Sequence, residues 1–228
     1  MKNSVKVAPS IISANMLKLS EEIEILERSG ADMIHIDVYP LMVFAFEYRE
    51  LANVTIGTLL LDFLRKRTSL PLEVHLAIEV DGNIITEYIK LGADIITFHP
   101  EVIDNSEEIG KIIDTVKKNN IKLGLATSVS SDLAYIKKYA KYADLILLTT
   151  SNPNFSGKIK IQESENKIIQ IRNLIGNEID LAVDGGVDDE VGPKFVKCGA
   201  SILVVGKYIF KSKNYLEAIR RLKDKCIN

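Results

Sequence analysis

Eight short runs rich in Val, Ile and Leu recur along the chain, and a longer segment of helical periodicity follows each of them. The runs cover residues 5–12, 33–38, 72–77, 95–98, 122–126, 145–148, 181–183 and 202–205. Near-continuous apolar runs of this length suit strands buried on both faces, which is the signature of a parallel sheet. The helical segments fall at 21–29, 58–66, 84–91, 107–119, 132–141, 163–175, 190–197 and 215–223. Ser20 is expected to cap the first of these, with Glu21 and Glu22 at its positive end. One turn recurs: Ser29-Gly30-Ala31-Asp32, Leu91-Gly92-Ala93-Asp94 and Cys198-Gly199-Ala200-Ser201 each stand between a helix and the next strand. Glycine at that point supplies a left-handed helix end. Repeated βα units in this number close most simply as a (β/α)8 TIM barrel, with an open doubly wound sheet as the alternative. With 228 residues and no Pro/Ser-rich linker, one barrel is expected to account for the whole chain.

Composition narrows the function classes. The formal net charge is −2, so nothing in the balance draws in a phosphate backbone, and no nucleic-acid partner is expected. Two cysteines, Cys198 and Cys226, make no disulfide framework and fit a reducing compartment. No signal-peptide pattern and no apolar run long enough for a membrane span occur, so a cytoplasmic protein is expected.

In a barrel of this kind, chemistry sits at the carboxyl ends of the strands. All three histidines, His35, His75 and His99, fall at or near the ends of strands 2, 3 and 4. His35 and Asp37 are two apart on one strand and therefore share a face. His75 is expected on the neighbouring strand, and Asp184 ends strand 7 before Gly185 and Gly186. Two imidazoles and two carboxylates suit one divalent ion of the Zn, Mn, Fe or Co type, Zn first, better than Ca or Mg. Gly185-Gly186 after strand 7, Gly206-Lys207 after strand 8 and Asn154-Phe155-Ser156-Gly157 after strand 6 are small-residue loops that could seat a phosphate. A metal beside a phosphate seat suggests a phosphorylated ketose whose carbonyl and neighbouring hydroxyl chelate the ion. Asp37 and Asp184 would then move a proton on and off the carbon beside the carbonyl, from opposite faces.

The chain resembles the ribulose-phosphate 3-epimerase family over nearly its whole length. The resemblance rests on Ala8-Pro9-Ser10-Ile11-Ile12-Ser13-Ala14, His35-Ile36-Asp37-Val38, Asn53-Val54-Thr55-Ile56-Gly57, Leu70-Pro71-Leu72-Glu73-Val74-His75-Leu76, Gly92-Ala93-Asp94, Asp184-Gly185-Gly186-Val187 and Gly206-Lys207-Tyr208-Ile209-Phe210. It implies that His35, Asp37, His75 and Asp184 hold the metal and that Asp37 and Asp184 are the acid/base pair. It also places Ser10 in the substrate pocket and implies a homo-oligomer, dimer or hexamer. The implied reaction interconverts D-ribulose 5-phosphate and D-xylulose 5-phosphate. Other readings are an epimerase for another ketose phosphate, such as a hexulose 6-phosphate, and a non-catalytic sugar-phosphate-binding paralogue. Survival of every ligand weighs against the last.

The departures from the family pattern are local. His35-Ile36-Asp37-Val38 continues as Tyr39-Pro40 rather than Met-Asp-Gly, and the stretch up to Asn53 is longer and holds the apolar run Leu41-Met42-Val43-Phe44-Ala45-Phe46. The three methionines usual around the reacting carbons read Tyr39, Ala77 and Thr149. The usual Asn-Pro-Gly-Phe-Gly-Gly reads Asn152-Pro153-Asn154-Phe155-Ser156-Gly157. Related barrel decarboxylases carry an Asp-x-Lys-x-x-Asp strand end, and the corresponding strand here has no lysine.

Overall fold

The computed structural model describes residues 5–39, 57–103, 105–150 and 160–227. The apolar segment after strand 2 and the loop carrying Asn154, Phe155, Ser156 and Gly157 lie outside the described residues.

The strands are β1 (Lys6–Pro9), β2 (Ile34–Val38), β3 (Leu72–Leu76), β4 (Ile95–Phe98), β5 (Lys122–Ser128), β6 (Leu145–Thr149), β7 (Asp180–Asp184) and β8 (Ile202–Val205). They form one sheet in the order β1-β8-β7-β6-β5-β4-β3-β2. The neighbouring strands in that sheet pair in parallel. A parallel bridge between Ser10 and His35 brings β1 against β2 and completes the ring. The open doubly wound alternative is excluded by that closure.

Helices cover the outside: α1 (Leu19–Arg28), α2 (Gly57–Arg65), α3 (Gly82–Lys90), α4 (Ser106–Lys118), α5 (Ala134–Tyr139), α6 (Ile161–Ile175), α7 (Gly192–Cys198), α8 (Lys207–Phe210) and α9 (Tyr215–Ile227). Strand side chains alternate in direction, so each strand serves two cores. On β2, Ile34, Ile36 and Val38 pack outward beneath the helices. Met33 joins an inner cluster with Ala8, Ala126, Leu147, Ala182 and Val204 that fills the barrel's interior. His35 and Asp37 continue the inward row, as the two-residue period requires. No helix among the described residues is long and apolar enough to cross a membrane.

The repeated glycine turns behave as expected. Gly30, Gly92 and Gly199 take φ values of 79°, 95° and 118° at the ends of α1, α3 and α7. The Ser20 cap does not form. Asn15 accepts a hydrogen bond from the Leu17 N–H and starts a 3-10 turn, Met16–Lys18, that runs directly into α1. Ser20 therefore lies inside the helix rather than in front of it. The first strand also stops at Pro9, because Ile11–Ser13 turns as a 3-10 helix. The four-residue α8 was not foreseen, being too short to show a helical period.

Candidate metal centre

His35 and Asp37 project inward from β2, His75 from β3 and Asp184 from β7. The parallel register sets Asp37 opposite His75. Asp37 Oδ1 lies 3.0 Å from His35 Nε2 and 3.1 Å from His75 Nδ1. With Asp184, each residue offers one ligand atom, and these four atoms lie within 4.8 Å of one another. The structure thus brings together the four residues that the spacing singled out.

A layer of hydrogen bonds holds these side chains. Glu73, also inward on β3 and 1% exposed, bonds His35 Nδ1 through Oε2. Its other oxygen accepts from the Thr97 hydroxyl at 2.6 Å. Ser10 donates its hydroxyl to Asp37 Oδ2 at 2.8 Å. Sequence reasoning assigned no role to Glu73 or Thr97. The signal was present, since Glu73 shares His75's face of a strand buried on both sides, where an unpaired carboxylate is costly.

The electrostatics split the two aspartates. Burial alone would raise the Asp37 carboxyl, but His35 and His75 outweigh it and hold the group well below the usual carboxylate range. Burial and the Asp37 charge push Asp184 the other way, up to about 7. For His35, burial opposes charge, yet Asp37 and Glu73 prevail and hold the imidazolium well above the ordinary value. Glu73 stays low because His35 more than offsets its burial.

The donor set fits a divalent ion on a local count of protons. Ionised Glu73 only accepts, so His35 Nδ1 must carry a hydrogen. His35 Nε2 then faces Asp37 Oδ1, another acceptor, with a lone pair unless the ring is charged. Two ring nitrogens and a carboxylate oxygen converge where a cation is needed. Ligands on a tetrahedral ion with bonds of about 2.0–2.2 Å stand about 3.3–3.6 Å apart. The observed 3.0 and 3.1 Å separations need to open by only a few tenths of an ångström, about 0.2–0.6 Å, to reach it.

Without an ion, protons on His35 and Asp184 neutralise the cluster. Binding a metal must displace them. Affinity is therefore expected to fall as the pH drops below about 7 and to rise above it, with proton release on binding. Zinc titrations across that range, run in buffers of different ionisation enthalpy, read both effects. Affinity independent of pH would contradict the assignment.

Gly124 on β5 shows how tightly the support is built. A Cβ there would lie 2.1 Å from Thr97 Oγ1. Gly124→Ala is expected to displace Thr97 from Glu73 and to cost about 1–3 kcal/mol, as overpacking does. Urea unfolding of the metal-free protein measures it, and an unchanged midpoint would show that Thr97 moves freely.

The remaining predicted residues that lie among the described ones stand on the same end of the barrel. Gly185 and Gly186 follow β7 with φ of 115° and 57°, a backbone that residues with a side chain rarely adopt. The Gly185 N–H is turned to the Asp184 carboxylate. Thr150 fixes this turn by donating to the carbonyls of Asp184 at 2.9 Å and Gly185 at 2.7 Å. Gly206 precedes α8 where a Cβ would meet Ser13 Oγ at 2.6 Å, and Lys207 beside it is exposed. Tyr39, just past β2, stands edge-on to His75 with ring centroids 6.0 Å apart.

The model of the ribulose-phosphate 3-epimerase family matches residues 6–210. The chain belongs to that family. The chloroplastic ribulose-5-phosphate-3-epimerase of Arabidopsis thaliana is 35% identical over 225 residues, spanning 97% of this chain and 77% of that protein. The ribulose-phosphate 3-epimerase of Bacillus subtilis is 33% identical over 223 residues, spanning 96% and 98%. Among solved structures, KGPDC from Streptococcus mutans superposes with a TM-score of 0.72 at 14% identity, covering 99% of this chain and 98% of that one. The 3-hexulose-6-phosphate synthase of Salmonella typhimurium gives 0.71 at 14% identity, covering 97% and 98%. At such identity the likeness to these two is one of fold alone. Membership of the epimerase family makes the chain an isomerase acting on a carbohydrate phosphate.

Proposed function

We propose that this epimerase inverts C3 of a ketose 5-phosphate, interconverting D-ribulose 5-phosphate and D-xylulose 5-phosphate, with Asp37 and Asp184 as its acid/base pair. The observation that carries the reading is the inward cluster His35, Asp37, His75 and Asp184 with its two carboxyl groups pushed in opposite directions, Asp37 low and Asp184 up to about 7. These four residues would hold one divalent ion, zinc first. Bound there, such an ion supplies Lewis-acid stabilisation of negative charge on a substrate oxygen.

Inversion needs a base on one face of C3 and an acid on the other. Asp37 and Asp184 come from β2 and β7, three strands apart around the ring through β1 and β8. The opposed environments assign the starting roles. Asp37, held ionised, takes the C3 proton from the epimer whose hydrogen faces it. Asp184, whose carboxyl is pushed up to about 7 by burial and the Asp37 charge, can exchange a proton near neutral pH and delivers one to the opposite face. The reverse reaction exchanges the two roles. Ser10, which donates to Asp37 Oδ2, orients that carboxylate.

The phosphate would sit over the turns after β7 and β8, against Gly186, Gly206 and Lys207. Gly185 has its N–H committed to Asp184 and contributes the bend. Asn154, Phe155, Ser156 and Gly157 are proposed to complete this seat on the strength of their place in the sequence.

A second reading is a different ketose phosphate, and Tyr39 is the observation that favours it. A phenol edge-on to His75 stands where the family pattern places a methionine. A panel of ketose phosphates incubated with metal-loaded protein in deuterated water decides between the two. Deuterium at C3 of D-ribulose 5-phosphate, taken up faster than with any hexulose 6-phosphate, is the expected result. Faster uptake by a hexulose 6-phosphate would overturn the pentulose assignment.

A further inference from the structure

His99 is the histidine that the reaction leaves without a task. It follows β4 and precedes the 3-10 turn Pro100–Val102. Its Nε2 lies 3.0 Å from His75 Nε2, and its Nδ1 lies 3.1 Å from Glu101 Oε1. The two rings stand 5.2 Å apart between centroids. We propose that Glu101 and His99 form a relay that locks the proton of His75 onto Nε2, and so turns the Nδ1 lone pair toward the metal position; His99 is a positioning residue. The inference rests on the reading of His75 as a metal ligand.

The argument follows donors and acceptors outward to inward. The Glu101 carboxylate faces His99 Nδ1 as an acceptor, so that nitrogen is the donor of the contact. His99 Nε2 is then the nitrogen turned to His75. The relay assigns the hydrogen of this second contact to His75 Nε2, with His99 Nε2 accepting it. That leaves His75 Nδ1 without a hydrogen, so its lone pair and those of Asp37 Oδ1, 3.1 Å away, converge where a bound ion would accept both. Without the relay, His75 can carry its proton on Nδ1, donate it to Asp37 and withhold the ligand lone pair. The two ligand histidines are thus held by different means. His35 has a carboxylate directly behind it, and His75 reaches one through a second imidazole. Outer partners of metal-bound histidines set the tautomer and ring orientation in the same manner.

Pro100 and the 3-10 turn serve this geometry. The turn places Glu101 two residues beyond His99 with its carboxylate brought back to the ring. Glu101 is 24% exposed at its side chain, so it can be replaced without opening the core.

Cobalt(II) is the probe, because its visible absorption reports ligand geometry and its titration gives affinity without turnover. His99→Leu keeps bulk and removes the acceptor, and it is expected to weaken cobalt binding about 10–100-fold. His99→Gln places an amide oxygen near the lost Nε2 and is expected to recover most of that loss. Glu101→Leu should weaken binding in the natural background and have no further effect in His99→Leu, because it acts only through His99. Circular dichroism of each metal-free variant confirms folding. If His99→Leu does not fold, Glu101→Leu decides alone, and undiminished affinity there overturns the relay. Cobalt binding by His99→Leu as tight as in the natural protein, or an equal Glu101→Leu loss in both backgrounds, also overturns it. A natural protein that binds no cobalt would instead overturn the metal centre itself, and the relay with it.

Discussion

The Asp184→Asn protein is expected to lose about 10²–10⁴-fold in epimerisation, the range that one positioned acid/base group contributes. The substitution is nearly isosteric and keeps an oxygen that can face the metal position, so the barrel should fold and still bind an ion. What disappears is a carboxyl able to gain and lose a proton near neutral pH, since burial and the Asp37 charge push it up to about 7. Asp37 remains ionised beside His35 and His75. One epimer should therefore still exchange its C3 hydrogen with solvent on the Asp37 face without inverting. Proton NMR in deuterated water reads exchange and inversion separately. Inversion at the natural rate in Asp184→Asn would remove the second carboxylate from the mechanism.

Glu73→Ala is expected to cost the metal-free protein about 3–5 kcal/mol, the usual result of breaking a buried charge pair by deleting one partner. The deletion leaves His35 Nδ1–H and the Thr97 hydroxyl without their acceptor in a site that admits no water-exposed substitute. The pH dependence follows from the direction of both shifts. Glu73 is held low, so its contribution is present above the unfolded value of about 4.3 and is lost as the pH falls. His35 is held high, so its contribution is full below about 6.5 and is lost as the pH rises through the folded value. The gap between natural and Glu73→Ala proteins should be widest between about pH 4.3 and 6.5. Thermal unfolding in the presence of a chelator measures it. A gap that stays constant from well below about pH 4.3 to well above about 6.5 would show that the pair contributes by packing rather than charge.

Much of this molecule is legible in its sequence because it repeats. Each strand is short and apolar on both faces, and three helices end on a glycine that only a left-handed turn explains. The His35–Asp37 pair was readable from the two-residue period of a strand, which is a local rule. Asp184 and His75 needed only the expectation that strand ends face one mouth. What stayed hidden depends on contacts between strands. Glu73 supports a histidine 38 positions earlier, and His99 meets one 24 positions earlier. Neither partnership has a sequence period. The Ser20 cap failed for a local reason, since Asn15 starts the turn first. Ser10 was placed in the pocket by resemblance, whereas its hydroxyl is bonded to Asp37, which adds a task that spacing did not suggest.

The central claim is that one ion on His35, Asp37, His75 and Asp184 is required for the inversion. Metal content and epimerase activity read on the same sample, before and after chelation and again after adding zinc, cobalt or manganese, test it most directly. The expected result is about one ion per chain, as the four-ligand cluster found among the described residues implies, with activity falling in proportion to the ion removed and returning when it is restored. Undiminished inversion of D-ribulose 5-phosphate by protein stripped of metal would contradict it.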